Sequence, residues 1–429
     1  MRFLYITTIG STMGFFPSLI RNLLDAGHDV DIATNEDGGE KPVPPCFREW
    51  GCKVYPISCS RSPLAKGNLR AIFEIRGIVS QGNYDIVHCH TPIAAACTRI
   101  ACKGLRKSGV KVIYTAHGFH FYTGAPLKNW LLFYPVEWLC AHWTDVLITI
   151  NQEDYARAKK HMHAKRVEYV PGVGIDVKRF MGATVDRAAK RREIGVPEDA
   201  ILLLSVGELN DNKNHATVIR ALAKVEDANI HYAIAGNGPL KETLEALAKS
   251  LGVGGQLHLL GYRRDVAELY KAADICVFPS IREGQGLAAL EGMASGLPLI
   301  ASDNRGTRDI LIQGKNALIC RYNDVEGFAE AIQEMASDPA KRETFGANNR
   351  VAAQNYDLSG IQPQLANIYA DCSQIVKVER ERERERERAR TSGAAYPNGK
   401  TAAASARDRR ANRRSPADVS RRAFRSEEP

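Results

Sequence analysis

Short β-rich runs and longer helical patterns take turns along this chain from its first residues, and few folds accept that order. Residues 3–7, 28–34, 53–57, 85–90, 111–115 and 145–150 read as buried strands, and apolar residues at helical spacing fill the gaps. Strand, helix and strand in succession require crossover connections. The strands are then parallel and helices cover both faces of the sheet, a doubly wound α/β arrangement with its ligands at the carboxyl ends of the strands.

The alternation pauses over residues 179–197, a polar, charge-rich stretch, and restarts at Ile201. Strands are expected again at 230–236, 256–261, 274–278, 297–301 and 316–319, with a helix over 239–251. A chain of 429 residues with 44% hydrophobic content can bury two cores. The expected organisation is two Rossmann-like domains facing a cleft, 1–185 and 186–354. A helical segment, 355–377, is expected to pack back on the first domain. Beyond it Arg and Glu alternate from Glu379 to Arg388, and large apolar residues nearly vanish, so 378–429 is expected to be disordered.

The net charge of +9 is concentrated there: residues 378–429 hold fifteen Lys or Arg against nine Asp or Glu, six of the nine excess charges. The remainder is only mildly basic, which gives no case for nucleic-acid binding. Ten scattered cysteines without a C-x-x-C pair read as buried thiols of a reducing compartment, and no metal site is expected. The first two dozen residues read as strand, turn and helix, not as a secretory signal, and no apolar run is long enough to span a bilayer. A cytoplasmic location follows as the expectation.

The densest chemical signal is CVFPSIREGQGLAALEGMASGLPLIAS, residues 276–302. It reads as strand, loop, helix, turn and strand. Gly284 and Gly286 let a ligand approach the backbone, and the amides of Gly284, Gln285, Gly286 and Leu287 open a helix whose first turn favours a diphosphate. Glu283 lies in the loop and Glu291 eight positions later on the helix. Carboxylates accept hydrogen bonds from vicinal hydroxyls, so one can grip a sugar and the other a ribose.

This segment resembles the E-x7-E motif of the retaining glycosyltransferases of family 4, which have the GT-B fold. SVGELNDNKNH (205–215), AIAGNGPL (233–240), DIVHCHTP (85–92), VIYTAHGFHFYTGAP (112–126) and VPGVGIDVKRF (170–180) resemble further family stretches, and the likeness covers about residues 1–375. The resemblance implies that Glu283 meets the donor sugar, Glu291 the ribose and Lys213 the diphosphate, with Gly207 beside it, and that His117 reaches the sugar across the cleft. Glu208 stands where the family usually has a basic residue, which shifts the load onto Lys213. Gly10 and Gly14 after the first strand are candidates for close approach to donor or acceptor. The implied donor is a nucleotide-diphosphate-sugar, expected to be UDP-linked, with no separate cofactor or divalent ion.

Trp130, Trp138 and Trp143 crowd a stretch with Phe121, Tyr122, Phe133 and Tyr134 that either rests on a lipid interface or packs on the sheet. Resemblance to enzymes of capsule and exopolysaccharide assembly implies a lipid-linked glycan acceptor at the inner face of the plasma membrane. Two rival readings use the same fold: a sugar-nucleotide epimerase, and a catalytically silent sugar-nucleotide binding protein.

Overall fold

The computed structural model describes residues 1–36 and 42–391. Among these, β1 (Arg2–Ile9), β2 (Asp29–Asn35), β3 (Val54–Pro56), β4 (Ile86–His90), β5 (Lys111–Ala116), β6 (Val146–Thr149) and β7 (Arg166–Tyr169) form one sheet in the order β3-β2-β1-β4-β5-β6-β7. A second sheet runs β10-β9-β8-β11-β12-β13, from β8 (Ile201–Val206), β9 (Ile230–Ala235), β10 (Leu257–Gly261), β11 (Ile275–Phe278), β12 (Leu299–Ser302) and β13 (Ala317–Cys320). Neighbours in both are parallel. These are two Rossmann-like domains within one compact unit, Met1–Val376. Strand order reverses between β1 and β4, and again between β8 and β11. Diverging connections leave a crevice at such points.

Burial on both faces explains the apolar runs. Leu4 and Ile6 of β1 enter a core with Val87 and Val112, while Phe3 and Tyr5 enter the opposite core with Ile86 and Ile113. In the second sheet Leu202 and Leu204 face one core and Leu203 the other. Unread in the sequence, β7 pairs only with β6, and Arg166 and Glu168 alternate with Val167 and Tyr169, so no continuous apolar run marks it. The polar stretch 179–197 packs on the second domain: Arg191, 2% exposed, donates to Asp274 at 2.6 Å and to the carbonyl of Ala272 at 3.1 Å. All ten cysteines are free and only Cys46 is not fully buried.

The chain crosses between domains twice, and the crossings are joined. Ile175 N–H donates to Tyr356 at 3.0 Å, Leu358 N–H to Ile175 at 3.0 Å, and Val177 N–H to the Asp357 carboxylate at 3.1 Å. The last helix, Leu358–Thr391, then places Ile361, Leu365, Ile368, Tyr369 and Cys372 in the core that holds Phe3 and Tyr5. It is helical as far as Thr391: Arg and Glu are good helix formers, and their alternation sets opposite charges three apart. The disorder expected further on concerns residues 392–429, which lie outside those described.

Ile361 is fully buried whereas Ile375 is 50% exposed. Replacing Ile361 with Ala is expected to cost about 2–4 kcal/mol in denaturant unfolding, and Ile375→Ala within about 0.5 kcal/mol of nothing. Equal effects would refute this account of how the last helix is held.

Candidate active site

A cavity of about 440 Å³ lies where the two crevices face each other. The connection after β1 contributes Thr12, Phe15 and Phe16, and Thr91 and His117 follow directly on β4 and β5. From the other side come Lys213 after β8, and Glu283, Gly284, Gln285, Leu287 and Glu291 after β11. Two of the four side chains with sequence-assigned chemistry are already joined, because Lys213 Nζ donates to Glu283 Oε1 at 2.7 Å. The helix Leu287–Ser295 starts at Gly286, so its unpaired first amides open beside them.

Close backbone approach builds this wall. A Cβ on Gly284 would stand 1.9 Å from the carbonyl oxygen of His117, and one on Gly286 2.8 Å from the Phe278 ring. Gln285 Nε2 donates to Pro171 at 2.7 Å, and its carboxamide occupies the space that a Cβ on Gly172 would need. Asn151 donates to the Gly284 carbonyl at 3.2 Å. Glu283 and Gly284 are thereby fixed from both domains.

Placement differs among the remaining candidates. Gly286 caps the helix but does not line the cavity, and Gly207 lies under the Lys213 side chain, where a Cβ would be 3.2 Å from Cε. Gly10 is buried in the turn after β1, and Gly14 is exposed with open space beside it. That turn reaches the cavity through Thr12, Phe15 and Phe16 instead, because the short 3-10 helix over Gly10–Phe15 brings the larger side chains to the cavity wall. Glu208 is exposed, accepts from Asn210 at 3.0 Å and is not part of the lining, so its charge does not enter the cavity.

Several residues with no assigned role stand behind His117. His90 Nδ1 is 3.0 Å from His117 Nε2. His88 bonds Tyr369 Oη at 2.8 Å and Thr115 Oγ1 at 2.8 Å, and Tyr369 meets Tyr5 Oη at 2.6 Å. Alternate residues of a strand share a face, so the two histidines of DIVHCHTP were legible as neighbours, though their link to the last helix was not. Burial pushes His117 down to about 4 and His88 to about 3, so neither ring carries charge at neutral pH. Thr91, a β-branched residue, is held at φ 64° at the cavity wall by bonds to the Thr8 amide (3.1 Å) and Thr8 hydroxyl (2.6 Å). Strain of that kind collects at binding sites.

Arg305 joins the lobes. It donates to Asp154 Oδ1 at 2.7 Å, to the Phe119 carbonyl at 2.5 Å and to the Glu283 carbonyl at 3.3 Å, and lies 4.8 Å from the Tyr122 ring centroid. Both ends of the ion pair are buried.

Two parallel α/β lobes closed on a cavity that holds a lysine, two acids and a helix start have the architecture of a GT-B transferase. Residues 186–352 match the family described as glycosyl transferases group 1, and residues 18–179 the one described as glycosyltransferase family 4. EpsD of Bacillus subtilis (strain 168) is 37% identical over 80% of this chain and 89% of its own. The UDP-Gal:alpha-D-GlcNAc-diphosphoundecaprenol alpha-1,3-galactosyltransferase of Escherichia coli is 27% identical over 66% of this chain and 74% of its own. In fold, the chain is similar to Anabaena HepE in complex with UDP and glucose, with TM-score 0.73 and 19% identity, over 86% of this chain and all of that one. The chain belongs to the family 4 glycosyltransferases.

Burial pushes the Glu291 carboxyl up to about 7, against the opposing pull of Arg179 and of a hydrogen bond with Tyr270. A raised folded-state pKa means the folded protein holds its proton where the unfolded chain has lost it, so Glu291 costs stability as pH rises through that interval. Glu291→Gln is expected to raise the denaturation midpoint at about pH 8 and leave it nearly unchanged at about pH 4, below the unfolded pKa. A gain of equal size at both values would show that the carboxyl titrates normally.

Proposed function

We propose that this enzyme is a retaining glycosyltransferase that takes a sugar from a UDP-linked donor and passes it to a glycan carried on a lipid diphosphate. The convergence of Lys213, Glu283, Glu291 and His117 on one interlobe cavity carries the reading. Lys213 and the first amides of the Leu287–Ser295 helix meet the diphosphate, Glu291 the ribose, and Glu283 the sugar hydroxyls, with neutral His117 bonding the sugar from the other lobe. Donor entry exchanges the Lys213–Glu283 contact for one bond to phosphate and one to sugar.

In the reaction the bond from sugar C1 to the phosphate oxygen breaks as the acceptor oxygen bonds C1 on the same face. The acceptor's hydroxyl proton passes to the departing phosphate, so no side chain has to be consumed. Charge stabilisation and positioning supply the rate. The donor supports are fold relatives solved with UDP, UDP and glucose, or UDP-glucose. The acceptor in the name of the Escherichia coli relative, a GlcNAc-diphosphoundecaprenol, supports the acceptor class.

The acceptor class also fits the surface of the first domain, though not through Trp130. Trp130, Phe133 and Tyr134 pack against the sheet core. On the same helix, Leu127–Ala141, Leu127 and Leu131 are 72% and 70% exposed, and on the helix Gly67–Gly82 Leu69 and Phe73 are 67% and 74% exposed. Lys66, Arg70, Lys103 and Lys128 lie on or beside these helices and the one between them. Apolar side chains among cations suit an anionic bilayer surface. No helix among the described residues is long and apolar enough to cross a membrane.

UDP is expected to raise the thermal midpoint of the wild type. Glu283→Gln should keep that rise and lose about 10²–10³-fold in kcat with acceptor present. Isomerisation of the donor without acceptor would favour an epimerase instead, and unchanged in-cell glycan with Glu283→Gln a silent binding protein. Phe73→Glu with Leu131→Glu should abolish co-sedimentation with phosphatidylglycerol-containing vesicles at an unchanged midpoint; retained sedimentation would refute the membrane face.

A further inference from the structure

A second cavity, of about 320 Å³, opens between the two domains and shares no lining residue with the first. Arg282, Arg305 and Arg308 reach it from the second domain, Tyr122 and Glu153 from the first, and Tyr322 lines its rim. The wall separating the cavities is built from contacts already described: Gly284 against the His117 carbonyl, and Arg305 bonded to the carbonyls of Phe119 and Glu283. Consecutive residues face opposite ways across that wall, Glu283 into the first cavity and Arg282 into the second.

The charges around this space do not cancel evenly. Arg305 is matched by Asp154 at 2.7 Å and Arg308 by Asp303 at 2.7 Å. Glu153 accepts the Thr123 amide at 2.7 Å and faces Arg157 at 3.4 Å. Every carboxylate that lines the cavity is thus committed elsewhere. The Arg282 guanidinium has no hydrogen-bond or ion-pair partner among the described residues, although the residue is only partly exposed and stands near Arg305. Neighbouring His120 titrates at about 4, through burial first and then through the charges of Arg282 and Arg305, so it adds no cation at neutral pH. A planar, uncompensated guanidinium beside two others is a receptor for a phosphoryl group. Beside it the ring of Tyr322, 44% exposed, offers an apolar face, and the volume is that of a small-molecule site.

We propose that this cavity is a second ligand site, for a soluble sugar phosphate, with the phosphoryl group held by Arg282 and the sugar packed on Tyr322. Because the wall keeps it from the first cavity, the ligand is not a reactant of the transfer. It sits instead against Arg305, the side chain that joins the lobes. Nothing here depends on which sugar the first cavity transfers.

The test uses the full chain saturated with UDP, so that the first cavity cannot account for the signal, and thermal midpoints with inorganic phosphate or glucose 1-phosphate added at about 10 mM. Both probes are expected to raise the midpoint by a few degrees, glucose 1-phosphate more than phosphate. Arg282→Ala should abolish both rises while retaining the rise caused by UDP, which shows that the variant folds and that its first cavity is intact. Tyr322→Ala should bring glucose 1-phosphate down to the level of phosphate. No rise in UDP-saturated wild type, or a rise that survives Arg282→Ala, would overturn the site. A rise with phosphate that glucose 1-phosphate does not exceed would overturn the sugar contact. If UDP itself gave no rise, the reading of the first cavity would fail and this one would still be tested by the phosphate arms.

Discussion

One buried guanidinium holds the two domains in register. Arg305 pairs with Asp154, both out of solvent, and its remaining donors reach carbonyls on either side of the crevice, at Phe119 and Glu283. Removing a single partner from such a pair strands a charge in the interior, at about 3–5 kcal/mol. The geometry of the donor cavity depends on it, because Glu283 and Gly284 belong to a loop that has little regular structure of its own. That loop keeps its shape because Arg305, Asn151 and Pro171 all bond it from beyond its own strand.

Glycine makes that approach sterically possible. At 284 any side chain would collide with the His117 carbonyl, and at 172, where φ is +79°, any side chain would displace Gln285. The two lobes touch backbone to backbone at the point where reacting groups must be placed to within fractions of an ångström. Behind that contact, a run of buried bonds from Tyr5 through Tyr369 to His88 ties the core of the first domain to the last helix, and His90 supports His117. The helix that closes the folded unit therefore reaches the active site's supporting layer.

Electrostatics divide the cavity by depth. Lys213 and Glu283 remain partly solvated and neutralise each other, whereas Glu291 is buried far enough that its proton is retained to about pH 7. A carboxyl of that kind changes charge near neutrality, and any ligand hydroxyl that donated a hydrogen bond to it would favour the ionised form.

Much was legible in the residues alone, for a local reason. Strands buried on both faces are apolar almost throughout, which is why the central strands could be read; the edge strands β3 and β10, only partly buried, were still apolar enough to read, and β7, half polar at its edge, was not. The eight-residue spacing from Glu283 to Glu291, with glycines between, likewise sets a loop and a helix start without reference to anything distant. Strand order, by contrast, is decided by how the crossover helices pack. It alone brings residues after β1, β4 and β5 opposite those after β8 and β11. So the sequence determined the kinds of element and the chemistry they carry, while the tertiary structure decided that Phe15 and Phe16 line the cavity and Gly14 does not. It also decided that Trp130 turns inward and Leu131 outward, and that Arg282 and Glu283 serve different spaces, because each outcome depends on neighbours from other elements of the fold that no local period encodes.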